Sequence, residues 1–297
     1  MLSSRNARLL APVMLIMSVL LGCSSPSTTL PPIAEDASAA PLPGKFVWHN
    51  LITADAEAAR AFYGELFGWE FELKDGGRYS VISYGGRNVG GILDATKSED
   101  VPKRAHWLSA VSVDDLDASL KAVAAAGGKQ LEAPIDVSGI GRVVTVEDAD
   151  GAVLHLLAPS HGDPPDSEAA LHTWLWHELL ANDPKRALSF YSEAFGYEVK
   201  TVVRDSGSDY NVLWNSGAPR GAVIQNPFDD VRSIWIPYVR VDDPEALADR
   251  AVALGGKIVI RPQADVRNGT LAVVLDPSGA PVALQKWSPR SDAKEQP

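Results

Sequence analysis

The sequence predicts an α+β protein of four βαβββ units, which pair into two domains with cupped mixed sheets. One observation is a long repeat: the stretch around Trp48 returns 128 positions later around Trp176, and the match continues through most of the following chain. Self-similarity at a fixed period sets the architecture before any local assignment does. The other observation is a shorter repeat, in which an Asp is followed thirteen residues later by a Gly at Asp55/Gly68, Asp115/Gly128, Asp183/Gly196 and Asp243/Gly256.

The shorter repeat predicts one helix in each unit. An Asp at a helix start accepts hydrogen bonds from unpaired amides, and a Gly just past the end takes the left-handed conformation. Helical spacing of apolar residues supports the first pair of helices, at Ala59, Phe62 and Leu66 and at Leu116, Leu120 and Val123. It supports the second pair at Ala187, Leu188, Tyr191 and Phe195 and at Leu247, Ala251 and Leu254.

Short apolar runs between turn signals predict the strands. In the first copy they fall near 46–52, 69–74, 79–84, 88–93, 106–113, 129–132, 142–147 and 152–157. In the second copy they fall near 173–180, 197–203, 210–215, 220–225, 233–241, 257–260, 270–275 and 281–286. Each unit then has one sheet face covered by its helix, and two units side by side form a cup around a cavity.

The chain is expected to divide into six segments. They are a signal peptide (1–22), a flexible tether rich in Ser, Thr, Pro and Ala (23–44), a first domain (45–158), a Pro-containing linker (159–171), a second domain (172–288) and a disordered tail (289–297).

The N-terminus has the features of an export signal. Arg5 and Arg8 precede an apolar run over 9–21, which ends in Leu20-Leu21-Gly22-Cys23. This ending resembles the lipobox of bacterial lipoproteins, which implies cleavage before Cys23 and a lipid on its thiol. The alternative is a plain secretory signal with an incidental cysteine. We therefore expect a lipid-anchored, extracytoplasmic protein of the bacterial cell envelope.

Charge and motifs exclude several function classes. The formal net charge is -11, which argues against nucleic acid and anionic lipid head groups as partners. Membrane contact is therefore expected through the lipid anchor only. The sequence has no Gly-x-Ser-x-Gly motif, phosphate loop or dinucleotide fingerprint, and Cys23 is its only cysteine.

Three motifs carry a family resemblance: Phe62-Tyr63…Phe67-Gly68-Trp69 at the first helix, Val113-Asp114-Asp115-Leu116 before the second, and the turn Asp148-Ala149-Asp150-Gly151. They resemble the vicinal oxygen chelate superfamily of glyoxalase I, bleomycin- and fosfomycin-resistance proteins and extradiol dioxygenases. Trp48-His49-Asn50-Leu51 is closer to a tandem glyoxalase-like subgroup. The resemblance covers about residues 46–287 and implies two glyoxalase-like domains. It says less about function, because this scaffold hosts several chemistries.

The resemblance also implies a divalent metal site on the cupped face. The positions that carry the family's strand ligands are here Trp48, Leu108, Trp176 and Ile236, none of which can bind a metal. The position after the last turn is His155 in the first copy and Ala283 in the second. The usual triad is therefore absent from both copies, and no cofactor is predicted, although a divalent metal held by a displaced set stays open.

A second set of residues is predicted to line the cups. Asn50 and Glu178 lie two residues beyond the tryptophans and so share a strand face with them. The candidate cavity residues are Trp48, Asn50 and His155 in the first copy and Trp176, Glu178 and Tyr238, with Gln285 as a further option, in the second.

His49 and His177 are weak metal candidates, as are His155 and Glu178. Strand parity puts both on the face opposite Trp48 and Asn50, toward the helices. One interpretation is a pair of hydrogen-bonded structural histidines inherited through the repeat. The other is a ligand or acid–base role, which requires a register error of one residue, because such a slip exchanges the two faces.

Three hypotheses for function follow. The leading one is a module that binds or sequesters a small organic molecule in an aromatic cup without metal chemistry. The alternative is a metal-dependent lyase or dioxygenase that uses a displaced set such as Asn50, His155 or Glu178. A third is a surface scaffold whose cups are filled by its own tryptophan side chains.

Overall fold

A computed structural model describes residues 29–34, 40–97, 105–203 and 209–287. Cys23, the predicted signal peptide and the predicted tail lie outside the described residues. The described part contains the predicted four units and two α+β domains. No helix in these four ranges combines the length and apolar character that crossing a bilayer requires.

The first domain follows the predicted order. Its elements are β1 (Phe46–Thr53), α1 (Ala56–Phe67), β2 (Glu70–Lys74), β3 (Tyr79–Tyr84), β4 (Arg87–Asp94), β5 (His106–Ser112), α2 (Leu116–Ala125), β6 (Lys129–Gln130), β7 (Ile135–Val137), β8 (Gly141–Glu147) and β9 (Val153–Pro159). The short strand β7, which pairs with β8, was not predicted. The main sheet has the order β2-β3-β4-β1-β5-β9-β8-β6, so the two units join where β1 pairs with β5.

The second domain repeats this arrangement. Its elements are β10 (Trp174–Ala181), α3 (Pro184–Phe195), β11 (Glu198–Val203), β12 (Asp209–Asn215), β13 (Ala218–Gln225), β14 (Ile234–Val241), α4 (Pro244–Ala253), β15 (Lys257–Ile260), β16 (Leu271–Leu275) and β17 (Pro281–Lys286). The sheet order is β11-β12-β13-β10-β14-β17-β16-β15, with β10 and β14 antiparallel at its centre.

All four predicted helix-capping aspartates cap their helices through side-chain oxygens. The predicted glycine caps hold at Gly68 and Gly196, with φ of 74° and 67°. In the other two helices the prediction was wrong by one residue, because Gly127 and Gly255 carry the positive φ. Gly128 has another role: a Cβ there would lie 2.6 Å from Phe190 of the other domain, so glycine is needed for close packing.

The two domains pack through their helical faces. One core combines α1 with residues of the fourth unit, and another combines the second unit with α3. Equivalent hydrogen bonds cross this interface in both directions: Tyr63 donates to Asp276 at 3.2 Å, and Tyr191 donates to Asp148 at 2.8 Å. The concave face of each sheet is the face opposite the helices. We call these two faces the first cup and the second cup.

The first cup is filled by part of the predicted tether. Leu30 and Ile33 are buried there in a cluster with Trp48 and other concave-face residues. The prediction of a flexible tether over 23–44 therefore does not hold for residues 29–34. The physical reason is that the cup offers an apolar surface that exists only after the sheet has formed.

Candidate ligand cavity

The sheet register places the candidate residues in equivalent rows on the two concave faces. In the first cup Trp48 pairs with Ala110, which pairs with His155. In the second cup the same row contains Trp176, Tyr238 and Ala283. The rows therefore differ most where the first cup has His155 and where the second has Tyr238.

A neutral hydrogen-bonded group forms one part of the first cup's floor. The Trp48 indole donates to Asn50 Oδ1 at 3.2 Å and lies 3.1 Å from the Tyr79 hydroxyl. Tyr79 donates to the same Asn50 oxygen at 2.8 Å. Burial raises the pKa of Tyr79, which keeps its hydroxyl protonated as a donor.

His155 belongs to a separate network in the same cup. Its Nδ1 lies 3.0 Å from Thr145 Oγ1, and Thr145 also donates to Glu132. Burial, with a smaller contribution from the charge of His106, lowers the pKa of His155 to about 3. The imidazole is therefore neutral near pH 7 and serves as a hydrogen-bonding group.

These residues do not fit the metal that the family resemblance implies. The family positions on the first strands carry Trp48 and Trp176, whose indole nitrogens donate to neighbouring oxygens. Within the described ranges, no group of three or more His, Cys, Asp or Glu side chains is arranged to hold an ion. The displaced candidates are also divided, since His155 lies in the first cup and Glu178 in the second.

The second cup contains a cavity of about 990 Å³. Its walls are mainly aliphatic and include Leu180, Ile236, Val273 and Leu275. Its rim extends to His106 of the first domain. A concave, mostly apolar space of this volume with a few polar groups at one point is the usual form of a small-molecule site.

Glu178 is the centre of the polar floor of this cavity. It is 1% exposed and accepts hydrogen bonds from Tyr210, at 2.7 Å, and from Tyr238. Arg267 forms an ion pair with the same carboxylate. Trp176 donates to the Tyr210 hydroxyl at 2.8 Å, which repeats the tryptophan–tyrosine contact of the first cup. The floor therefore holds a buried charge together with its counter-ion.

Arg267 is the cation of this floor and lines the cavity. Its guanidinium lies 5.3 Å and 5.4 Å from the ring centres of Tyr210 and Tyr238, within the range of cation–π attraction. Burial lowers its pKa from 12.5 to about 10, so it remains charged near pH 7. Its backbone φ is 50°, an uncommon conformation for a long side chain and one that often marks a functional position.

Sequence reasoning placed Trp176, Glu178 and Tyr238 on one face, and the structure brings them together, with Gln285 Oε1 3.5 Å from Arg267. Sequence reasoning did not identify Arg267 or Tyr210 as cavity residues. Strand register makes Tyr210 the counterpart of Tyr79, since Val81 pairs with Gly91 and Val212 with Ala222. The signal for Tyr210 was hidden because the offset at this strand is 131 rather than 128 residues.

His49 and His177 lie outside both cups, on the helical faces that parity predicted. Their Nε2 atoms are 2.6 Å apart across the domain interface. His49 stacks on Trp174 with ring centres 4.3 Å apart, and His177 stacks on Phe46 at 4.0 Å. The pair is therefore part of the packing between domains.

The fold and the repeat agree with comparison to known families. The model of the Glyoxalase/Bleomycin resistance protein/Dioxygenase superfamily matches residues 45–156 and again 172–284. The chain belongs to this superfamily, as a tandem of two glyoxalase-like domains.

Relatives share this tandem arrangement along nearly their whole length. CFP32 of Mycobacterium tuberculosis, whose name assigns it provisionally to the glyoxylases, is 31% identical over 82% of this chain and 95% of its own. The anthracycline biosynthesis protein DnrV of Streptomyces peucetius is 29% identical over 80% of this chain and 91% of its own.

Solved structures with the same fold are more distant in sequence. A Mn(II)-bound glyoxalase from Novosphingobium aromaticivorans aligns with a TM-score of 0.58 at 17% identity, over 82% of each chain. A variant of homoprotocatechuate 2,3-dioxygenase from Brevibacterium fuscum aligns with a TM-score of 0.58 at 17% identity, over 88% of this chain and 77% of its own. This likeness concerns the fold alone.

Proposed function

We propose that this protein binds a small, largely apolar organic molecule in the second cup, with a polar group of the ligand directed at Arg267 and Glu178. The observation that carries the proposal is the cavity of about 990 Å³ whose aliphatic walls end at a buried ion pair. The walls favour transfer of apolar surface from water. The floor offers both a cationic donor and an anionic acceptor, which fixes the orientation of a carbonyl or hydroxyl group.

An aromatic ring at the floor favours flat ligands. Tyr210 and Tyr238 flank the guanidinium, and Tyr238 also lines the cavity, so it offers an aromatic surface beside the polar group. Two relatives carry names that refer to anthracycline biosynthesis. Planar polycyclic ketones and phenols are therefore the first ligand class to test.

The test is a titration of the full chain with daunorubicin, a fluorescent anthracycline, followed by fluorescence anisotropy. Val273→Trp fills the cavity without altering its polar floor and should weaken binding at least about tenfold. Val252→Trp is the matched control, because Val252 is an exposed residue of α4 outside both cups. Equal affinities for wild type and Val273→Trp would place binding elsewhere and refute the proposal.

The same preparation tests the metal-dependent alternative. Metal content is measured by mass spectrometry on protein purified without chelator or affinity metal. About one divalent metal per chain, lost in His155→Ala, would favour an enzyme with its site in the first cup. Retention of daunorubicin binding after exhaustive chelation would favour binding that is independent of a metal.

We further propose that the mature chain is anchored to the cell envelope by a lipid on Cys23. The lipobox-like ending of the N-terminal apolar run supports this, and Thr29 at the first cup is only six residues further on. Six extended residues reach at most about 20 Å, so the first domain would lie close to the bilayer. Labelled palmitate should be incorporated into wild-type protein in bacterial cells and not into Cys23→Ala.

A further inference from the structure

The segment 29–34, which we call the N-terminal segment, lies in the first cup where a ligand would lie in the second. Leu30 and Ile33 bury their side chains in it. The Leu30 amide donates to the Ser138 carbonyl at 2.9 Å, and the Thr29 and Ser138 hydroxyls are 3.2 Å apart. These hydrogen bonds hold the segment at one rim of the cup, while its apolar side chains face inward.

The cup beneath the segment has a polar floor like that of a binding site. Trp48, Asn50 and Tyr79 form one hydrogen-bonded group, and His155 and Thr145 belong to another. The first group repeats the tryptophan–carboxylate–tyrosine group of the second cup, with an amide in place of the carboxylate. Leu and Ile side chains form no hydrogen bonds, so a cup that only had to hold them would not need these polar groups.

The absence of a side chain at Gly139 leaves room for the N-terminal segment. A Cβ at this position would lie 1.8 Å from the Leu30 carbonyl oxygen, and its other nearest atoms also belong to the N-terminal segment. The position 128 residues later is Arg267, whose side chain supplies the cation of the second cup. Both residues have positive φ, of 87° and 50°. At equivalent positions, one cup therefore has room for the chain's own segment and the other has a side chain that faces the ligand space.

We propose that the first cup is a second small-molecule site, which the N-terminal segment closes and which a ligand opens by displacing it. The ligand class is largely apolar and carries no negative charge, with one hydrogen-bonding group. Asn50 replaces the Glu178 carboxylate and Gly139 removes the Arg267 cation, while the Glu132 carboxylate remains in the Thr145–His155 network. Displacement is feasible because burial of two apolar side chains is opposed by the ordering of six residues, and these two effects are of similar size.

A single methyl group should open the site. Gly139→Ala drives the added Cβ into the segment's backbone and should expel it. Gly151→Ala is the matched control: its φ of 94° imposes similar backbone strain, but no atom lies within 4 Å of the added Cβ. Ile33→Asp is a second route to expulsion that leaves Gly139 unchanged, because a carboxylate is disfavoured in an apolar cup.

The probe is N-phenyl-1-naphthylamine, an uncharged apolar fluorophore, and its binding stoichiometry is measured on the full chain. We expect Gly139→Ala and Ile33→Asp each to bind one more probe molecule per chain than wild type and Gly151→Ala. Hydrogen exchange at the Leu30 amide, which donates to Ser138, should be slow in wild type and fast in both opening variants. At high probe concentration it should also become fast in wild type.

Two results would overturn the proposal. One is fast exchange at the Leu30 amide in the opening variants without an additional probe molecule, which would mean that the cup collapses when the segment leaves. The other is slow exchange in wild type saturated with probe, which would mean that no ligand displaces the segment. The stoichiometry is a difference between proteins with the same second cup, so this test and that of the proposed function can fail separately.

Discussion

The histidine pair at the domain interface predicts a steep loss of stability in mild acid. The facing nitrogens of His49 and His177, 2.6 Å apart, share a single proton. A second proton between these two atoms would bring two N–H groups into contact, and His49 Nδ1 has no hydrogen-bond partner among the described residues that would stabilise a proton there. Burial lowers the pKa of both rings, to about 3 for His177, and the charge of His177 lowers that of His49 further.

The sign and size follow from proton linkage. In the unfolded chain a histidine has a pKa near 6.5, so below this pH the unfolded state binds protons that the folded state does not. The free energy of unfolding therefore falls as the pH falls, by about 1.4 kcal/mol per pH unit for each histidine. The pair contributes a slope of roughly 3 kcal/mol per pH unit, which starts below the unfolded pKa and continues toward the lowered pKa values of the folded state, about 3 for His177.

The assay is urea unfolding followed by tryptophan fluorescence, between about pH 7.5 and about pH 4.5. The double variant His49→Leu/His177→Leu should lose most of that slope. Other titrating groups, such as Asp148 and Asp276, whose pKa values burial raises, act in the opposite direction but are common to both proteins. They therefore cancel in the comparison.

The control for this assay is Phe62→Leu, which loosens the same interface without removing a titrating group. It should lower stability by roughly 1–2 kcal/mol at every pH and leave the slope unchanged. Equal slopes in wild type and in the double-histidine variant would show that the pair does not control the acid response.

Three further predictions concern packing and the second cup. Gly256→Ala places a Cβ 2.6 Å from a backbone oxygen and should destabilise the protein by about 1–3 kcal/mol in the same urea assay. Gly64→Ala lies in a helix, and the atom nearest to its added Cβ is 3.4 Å away, so this variant should be more stable than wild type by about 0.5–1 kcal/mol. Arg267→Met leaves the Glu178 carboxylate buried without its counter-ion and should lower the free energy of unfolding by about 2–4 kcal/mol. Adding Glu178→Gln to this variant should restore most of that stability, and strictly additive effects of the two substitutions would contradict the coupling. Tyr191→Phe removes the hydroxyl that joins a buried indole to a turn carboxylate of the other domain and should cost about 1–3 kcal/mol by calorimetry; an unchanged melting temperature would mean that this bridge is not stabilising.

The sequence predicted the fold well because its signals are local and repeated. Capping aspartates occur in all four units, so four weak signals support one architecture. The error at Gly128 and Gly256 shows the limit of this reasoning. A glycine required for a left-handed cap and a glycine required for close approach look the same in sequence, and only the contact with the other domain's phenylalanine tells them apart.

The candidate site was only partly predictable. Strand parity placed Trp176, Glu178 and Tyr238 together because alternation is strict within a strand. Arg267 begins a three-residue 3-10 turn between β15 and β16, which is too short for periodicity to indicate the direction of a side chain. Burial of Leu30 was equally hidden, since two apolar residues in a tether-like composition have no partner until the sheet has formed.

Two differences between the cups are energetically coupled: Glu178 in place of Asn50 and Arg267 in place of Gly139. Glu178 alone in the second cup would be a buried charge without a cation, and Arg267 alone would be a buried cation without a partner; each would be costly. In the first cup both positions are uncharged, as Asn50 and Gly139, and the absence of a side chain at Gly139 is what leaves room for Leu30. An arginine at position 139 would meet the N-terminal segment and find an amide instead of a carboxylate. The two exchanges therefore act together, so that one cup keeps an open cavity with an ion pair at its floor and the other has uncharged residues at both positions beneath its own chain.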